Sequence, residues 1–292
     1  MLIEPIKPVS ATSFQDVLVV VTNTADDEAA LAAADDLCTQ MGGRATALLA
    51  SPFQPSYVMG DAYDGGAQIW GVIIAELAKG AAKEGAHLRQ RLERATAPFE
   101  FRTVEDDPLM SRQQVLMSAR HADLSIFTRP AGGVDSAGRN DLLEAALFES
   151  GRPVLVVPPG HSRPMRFKKI VVAWNASREA ARAVGDACGV LQSAEQIVVV
   201  TVDAKPTALG LGQAPGEDIA AHLAHHHAKV ELRNVDAMGR AEAAAILDVA
   251  HSIDADLIVL GAYGHARMRE FVFGGVTHEL LRRADVPLFL SH

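Results

Sequence analysis

Asp256-Leu-Ile-Val-Leu-Gly-Ala-Tyr-Gly264 carries an apolar run into two glycines, and nine residues further on stands Gly274-Gly-Val-Thr277. The apolar run is short and bounded like a buried strand, and Thr277-His-Glu-Leu-Leu-Arg-Arg283 has a helical pattern. The stretch therefore predicts strand, turn and helix in succession. Glycines at 261 and 264 let the backbone turn sharply and approach a ligand with no Cβ in the way. Glycines at 274 and 275, at the mouth of the helix, leave N–H groups and the positive end of the helix dipole facing outward. That is an anion site, and phosphate is the usual anion. Thr277 adds a hydroxyl donor in the first turn. Glycines can equally do no more than shape a loop, so the surroundings decide.

Outward from this stretch the same alternation fills the chain. Strand-like runs at Val17–Val21, Ala45–Leu49, Phe99–Thr103, Leu124–Thr128 and Val154–Val157 alternate with helical patterns over 27–41, 69–95, 108–121 and 141–149. The pattern restarts at Lys169–Trp174 and an Ala-rich helix over 177–191. Strands at Ile197–Val202, Lys229–Arg233, Asp256–Leu260 and Val286–Leu290 follow, with helices over 241–253 and 276–283. Continuous apolar strands separated by helices indicate a parallel sheet covered on both faces.

The restart is a repeat. Ala119-Arg-His-Ala-Asp-Leu-Ser-Ile-Phe127 echoes Ser252-Ile-Asp-Ala-Asp-Leu-Ile-Val-Leu260, and Gly151-Arg-Pro-Val-Leu-Val-Val157 echoes Ala284-Asp-Val-Pro-Leu-Phe-Leu290. Asp123 and Asp256 lie 133 positions apart, Pro153 and Pro287 134, so two independent pairs share nearly one offset. Pro158-Pro-Gly-His-Ser-Arg-Pro164 is the natural linker, which divides the chain into residues 1–160 and 161–292.

Composition bounds the rest. The 292 residues are 49% hydrophobic and only 5% aromatic, which predicts an Ala, Val, Leu and Ile core. A net charge of −9 argues against a nucleic-acid or membrane-surface partner, both of which select a basic face. Cys38 and Cys188 sit in Ala-rich helical patterns, so neither a disulfide framework nor a metal cluster is expected, and a reducing cytoplasm fits. No leader pattern and no apolar run near ~18 residues is present, so a soluble chain is expected.

The strand order, with Gly-x-x-Gly, nine residues and Gly after the fourth strand, resembles the universal stress protein family. The chain is similar to a tandem member, with two such domains. The resemblance spans nearly the whole length, apart from the first dozen residues and an insertion near Pro52–Trp70. Val171-Val-Ala-Trp-Asn-Ala-Ser177 resembles the family's first strand and following turn.

The resemblance implies an α/β fold of two repeated doubly wound domains. Each would be a five-stranded parallel sheet with helices on both faces, Rossmann- or flavodoxin-like, its ligands beyond the carboxyl ends of the strands. It implies ATP or a related adenine nucleotide in the second domain. Gly261, Gly264, Gly274, Gly275, Val276 and Thr277 would hold the phosphates; Ala173, Trp174 and Asn175 would line the adenosine side, and Val202 would close the pocket. Asn175 stands where an Asp is usual, keeping an acceptor oxygen without the charge. Gly275 stands where a Ser or Thr is common, but its N–H survives. His265, Arg267 and Arg269 supply cations that could reach a phosphate, or else form an exposed basic loop.

In the first half the matching stretch, Thr128-Arg-Pro-Ala-Gly-Gly-Val-Asp-Ser-Ala-Gly-Arg-Asn-Asp141, has glycines off the motif spacing. By the repeat offset Asp141 falls near Gly274 and Gly275, where a carboxylate would cap the helix and repel phosphate. The first domain thus reads as a degenerate, non-binding partner. Its inserted segment, with Tyr57, Tyr63 and Trp70, reads as an interface or cover.

His222, His225, His226 and His227 invite a metal reading, since i, i+3 and i+4 share one helical face, but a solvated helix explains them better. Asp26-Asp27-Glu28, Glu144 and Glu149 read as surface or helix N-terminal charge, and Ser177 as an N-cap. No nucleophile-and-base constellation appears and no Walker-type Lys follows the glycines, so hydrolysis is expected to be slow or absent, with any Mg2+ accompanying the phosphates. The competing expectation is an interaction module in which both sites are vestigial. Its domains would pair through Val154–Val157 and Val286–Leu290. A homodimer of tandem chains is compatible with either reading.

Overall fold

The computed structural model describes residues 14–52, 66–104, 110–130, 136–205, 215–225, 229–262 and 275–292. The first half contributes β1 (Asp16–Val21), β2 (Arg44–Leu49), β3 (Phe99–Thr103), β4 (Leu124–Thr128) and β5 (Val154–Val157). The second contributes β6 (Lys169–Ala173), β7 (Gln196–Val202), β8 (Val230–Val235), β9 (Leu257–Gly261) and β10 (Leu288–Ser291). All ten join one sheet in the order β3-β2-β1-β4-β5-β10-β9-β6-β7-β8. Within each half the neighbours run parallel in the same order, and β5 meets β10 antiparallel, with Leu155 opposite Phe289.

The antiparallel seam has a geometric consequence. The carboxyl ends of β1 and β4 emerge on one edge of the sheet, those of β6 and β9 on the opposite edge. Ligand-binding loops of the two halves therefore face away from each other.

Strand alternation divides the core. Val17, Val19 and Val21 face one layer, which holds α1 (Glu28–Met41) and α5 (Arg178–Asp186); Leu18 and Val20 face the other. That second layer holds α3 (Ser111–His121), α4 (Ser136–Glu144), α8 (Glu242–Ile253) and α9 (Gly275–Arg283). The long α2 (Gly66–Leu92) buries Leu88 on the first layer, where Ala29, Ala30, Ala33 and Ala34 let α1 pack closely. Short α6 (Cys188–Ser193) and α7 (Glu217–Ala224) complete the helices among the described residues. Across the seam Phe14 stacks on Phe289 with ring centroids 6.1 Å apart. Each such buried ring contributes roughly 1.5–3 kcal/mol by area.

The repeat marked by Asp123 and Asp256 has a structural cause. Asp123 Oδ2 accepts from the Gln15 and Asp16 N–H groups at 2.9 and 3.0 Å. Asp256 Oδ2 accepts from Lys168 and Lys169 at 2.8 and 2.9 Å. Each carboxylate ties the start of a half's central strand to the strand beside it. The two outermost strands repeat as well: Glu100–Arg102 on β3 and Glu231–Arg233 on β8 place an ion pair along each exposed edge. Charged edges of this kind oppose strand addition by another chain.

Two sequence expectations change here. The helix expected to begin at Asp141 begins at Ser136 and loosens into a π-helical turn at Ala145–Glu149. Asp141 therefore lies in the second turn, caps nothing, and accepts from Arg112 Nε at 3.1 Å. The single helix expected over 177–191 is two helices, α5 and α6, breaking at Ala187. The segment with Tyr57 and Tyr63, and the side chain of Trp70, lie outside the described residues.

Candidate functional site

The second half's site edge is built where β6 and β9 end side by side, Ala173 pairing with Leu260. Beyond β6 the chain turns through Trp174, Asn175 and Ala176, whose φ of 56° is left-handed, to Ser177. Ser177 caps α5, its side chain accepting from the Ala180 N–H at 3.1 Å, as its sequence position predicts. Beyond β9, α9 starts at Gly275. Among the described residues nothing lies within 4 Å of where a Cβ on Gly275 would stand. N–H groups of a first helical turn have no partner within their own helix, so the start of α9 can receive an anion.

The structure sorts the expected site residues into separate positions. Ala173, Val202 and Val276 are half-buried and pack against the same core layer at this edge. Trp174, one residue past Ala173, packs against the opposite layer instead, and its N–H donates to the Val200 carbonyl at 2.8 Å. A one-residue step along a strand reverses the face, so Ala173 and Trp174 cannot line one wall together. Thr277 is buried in the first turn of α9. Gly264, His265 and Gly274, with Arg267 and Arg269, lie outside the described residues.

Asn175 and Gly261 take roles other than those expected. Asn175 is exposed, but its Oδ1 already accepts from the Ser177 N–H at 3.1 Å, closing a local turn. A Cβ on Gly261 would stand 2.3 Å from Ala180 N and 2.4 Å from the Glu179 carbonyl carbon. Position 261 is glycine because α5 begins against it.

Glu179 is buried beside this contact and paired with Arg178. Burial pushes its carboxyl up, but the Arg178 guanidinium, its own backbone N–H and His292 outweigh that, and the net direction is downward. The carboxylate stays charged at the N-terminus of α5, where the helix dipole favours it.

At the corresponding edge of the first half, Thr128 Oγ1 accepts from the Ala30 N–H at 3.2 Å. Asp27, expected as surface charge, is 3% exposed. Its Oδ2 accepts from Thr22 N at 2.7 Å, Thr22 Oγ1 at 3.0 Å and Asn23 N at 3.1 Å. Arg139 from α4 reaches both of its oxygens at 3.3 Å. Burial raises the Asp27 carboxyl above its ordinary value, against the opposing pull of Arg139 and the Thr22 and Asn23 donors. The cavity lined by Asp27, Arg139, Thr22 and Thr128 measures about 10 Å3, room for about one water. The sequence reading missed this pair because its members lie 112 positions apart. The only local signal was a polar Asp-Asp-Glu run that equally fits a helix start.

His222 and His225 are exposed, while His226 and His227 lie outside the described residues. Among the described residues no group of three His, Cys, Asp or Glu side chains could hold a metal ion, and no helix is long and apolar enough to cross a membrane.

Residues 166–292 match the universal stress protein family. The whole chain is similar in fold to a universal stress protein from Archaeoglobus fulgidus DSM 4304, at 16% identity and a TM-score of 0.66, over 96% of this chain and 99% of that one. A protein of unknown function from Pseudomonas aeruginosa PAO1 aligns at 16% identity and a TM-score of 0.53, over 95% of this chain and 92% of that one. At these identities the likeness is one of fold. No curated protein matches the chain in sequence.

Proposed function

We propose that the chain is a tandem universal stress protein, divided at residues 1–160 and 161–292. Its second domain binds ATP or a related adenine nucleotide as a regulatory ligand, with little or no hydrolysis. The observation that carries this reading is the start of α9 at Gly275, where no described residue stands within 4 Å of a Cβ position. It belongs to the part of the chain that matches the family, and the glycine spacing of the sequence leads into it. Phosphates would take the N–H groups of Gly275 and Val276, with Gly264 and Gly274 completing the cradle. Mg2+ would be held by the phosphates. The first domain binds no nucleotide in this reading, because Asp27 and Arg139 occupy each other and leave a cavity too small for one. Two free cysteines and the net charge of −9 suit a cytoplasmic protein free of nucleic-acid and membrane partners.

The test is the small-molecule content of the purified chain, released by denaturation and read by mass spectrometry. ATP or ADP near one per chain, lost in Gly274→Asp, is the expected result. An empty protein that shows no thermal shift in millimolar ATP would overturn it and favour an interaction module with two vestigial sites. The small first-half cavity among the described residues is the observation that fits that second reading.

A further inference from the structure

One helix departs from the charge pattern of the rest of the chain. The sequence carries 36 Asp and Glu against 27 Lys and Arg, and every other described helix of eight or more residues holds at least one carboxylate. α3, Ser111-Arg-Gln-Gln-Val-Leu-Met-Ser-Ala-Arg-His121, holds none. Val115, Leu116 and Ala119 bury one side of it in the core. The opposite side is a continuous stripe: Met110, just ahead of the helix, and Gln113, Gln114, Met117, Arg120 and His121 are all exposed. Steps of three, four or seven residues place them on one face. Met110 and Met117, at 47% and 41% exposure, are two of the four large hydrophobic side chains exposed among the described residues.

Two cations stand at the C-terminal end of this stripe. Arg120 donates to the Glu149 carbonyl at 3.4 Å and to the Met117 sulfur at 3.7 Å. Arg152, in the turn before β5, donates to the Arg120 carbonyl at 3.4 Å. These acceptors are uncharged, so they position the guanidiniums without neutralising them, and each keeps further N–H donors for a carboxylate. Among the described residues neither arginine pairs with a carboxylate, and the nearby Asp141 and Glu149 carboxylates both engage Arg112.

We propose that this face of α3, together with Arg152, is a docking surface for an acidic amphipathic helical segment of another protein. Carboxylates of the segment pair with Arg120 and Arg152, and its apolar side chains lie on Met117 and Met110. Charge complementarity selects this occupant. A nucleic acid or an anionic membrane is an extended polyanion and would run past the patch onto a chain of net charge −9. A short segment with a few carboxylates meets only the local cations. Methionine side chains adapt to varied apolar partners. The 11 residues of α3 offer about 16 Å of length, about three turns of a partner helix. The proposal is independent of the nucleotide reading.

Fluorescence anisotropy on the full chain tests it, with a labelled amphipathic peptide carrying Glu on one helical face and Leu on the other. The same peptide with Gln for Glu, and a single-stranded oligonucleotide of equal charge, are the comparisons. Saturable binding of the Glu peptide is expected, weakening as salt rises. Arg120→Gln/Arg152→Gln should weaken it about tenfold, the sum of two exposed charge pairs. Met117→Gln should weaken it as well, and because these positions are exposed both variants should melt like the parent. No saturable binding, or binding untouched by the double variant, would overturn the proposal. Equal binding of the Gln peptide would overturn it in favour of apolar adhesion, and tighter binding of the oligonucleotide in favour of a nucleic-acid surface. Self-association of the chain that the double variant abolishes would reassign the face to a second copy and overturn it too.

Discussion

Gly261 and Ala180 touch backbone to backbone: a Cβ at 261 would lie 2.3 Å from the Ala180 nitrogen. In the first half the same contact is made through a side chain, Thr128 Oγ1 accepting from the Ala30 N–H at 3.2 Å. Ala30 and Ala180 are each the third residue of the helix that follows the half's first strand. The two halves satisfy this amide differently: Ser177 of the second half's own chain serves Ala180, and position 261 needs no side chain. Gly261 is thus fixed by packing, whereas no described residue stands within 4 Å of a Cβ position at Gly275.

Gly261→Ala and Gly275→Ala should therefore separate stability from binding. Overpacking against fixed backbone costs about 1–3 kcal/mol or more, so Gly261→Ala should lower the urea midpoint clearly. Gly275→Ala should leave it nearly unchanged while weakening ATP binding. Equal destabilisation by both would contradict the packing assigned to these positions.

Ser177→Ala removes the hydroxyl bonded to the Ala180 N–H. The expected loss is about 1 kcal/mol by urea unfolding, with Ser177→Asp close to the unmodified chain. An alanine variant as stable as the parent would show that the cap contributes nothing.

Asp27→Asn should change how stability depends on pH. A carboxyl whose folded value is raised binds its proton more tightly folded than unfolded. Its contribution is complete below the ordinary value of 3.8 and is lost as pH rises through the raised folded value. The asparagine variant lacks this loss, so its stability relative to the parent should rise with pH across that window. A relative stability that falls instead would show that Arg139 and the backbone donors outweigh burial. Asp27→Ala should destabilise the chain through loss of the Thr22 and Asn23 hydrogen bonds, while Arg139 keeps its ion pair with Asp26 at 3.3 Å.

Cys38 should resist alkylation in the folded chain. Burial, with lesser contributions from Asp35 and Asp16, pushes its thiol up to about 12, so almost no thiolate forms near neutrality. Cys188 is only half-buried. Titration with a thiol reagent at pH 8 should show one thiol reacting readily and a second only after denaturation. Two thiols of equal rate would contradict the burial of Cys38.

The fold was legible because its signals are local and repeated. Strand-like runs, apolar at the centre of each half and alternating in the outer β3 and β8, appear where the strands form, and the Asp123 and Asp256 echo marks residues that anchor equivalent strand starts. Ser177 was legible for the same reason, since an N-cap acts within its own first turn.

Sequence alone determined the alternation of strands and helices, the repeat, and the glycine spacing ahead of α9, because these depend on residues close together in the chain. Tertiary structure alone decided that Asp27 and Arg139, 112 positions apart, meet at the first half's cavity. It alone placed His292 between Ala262 and Phe148. The physical reason is the same in each case. Which partner a polar or aromatic group finds depends on which backbone segments the sheet brings within a few ångströms, and distance along the chain carries no such information.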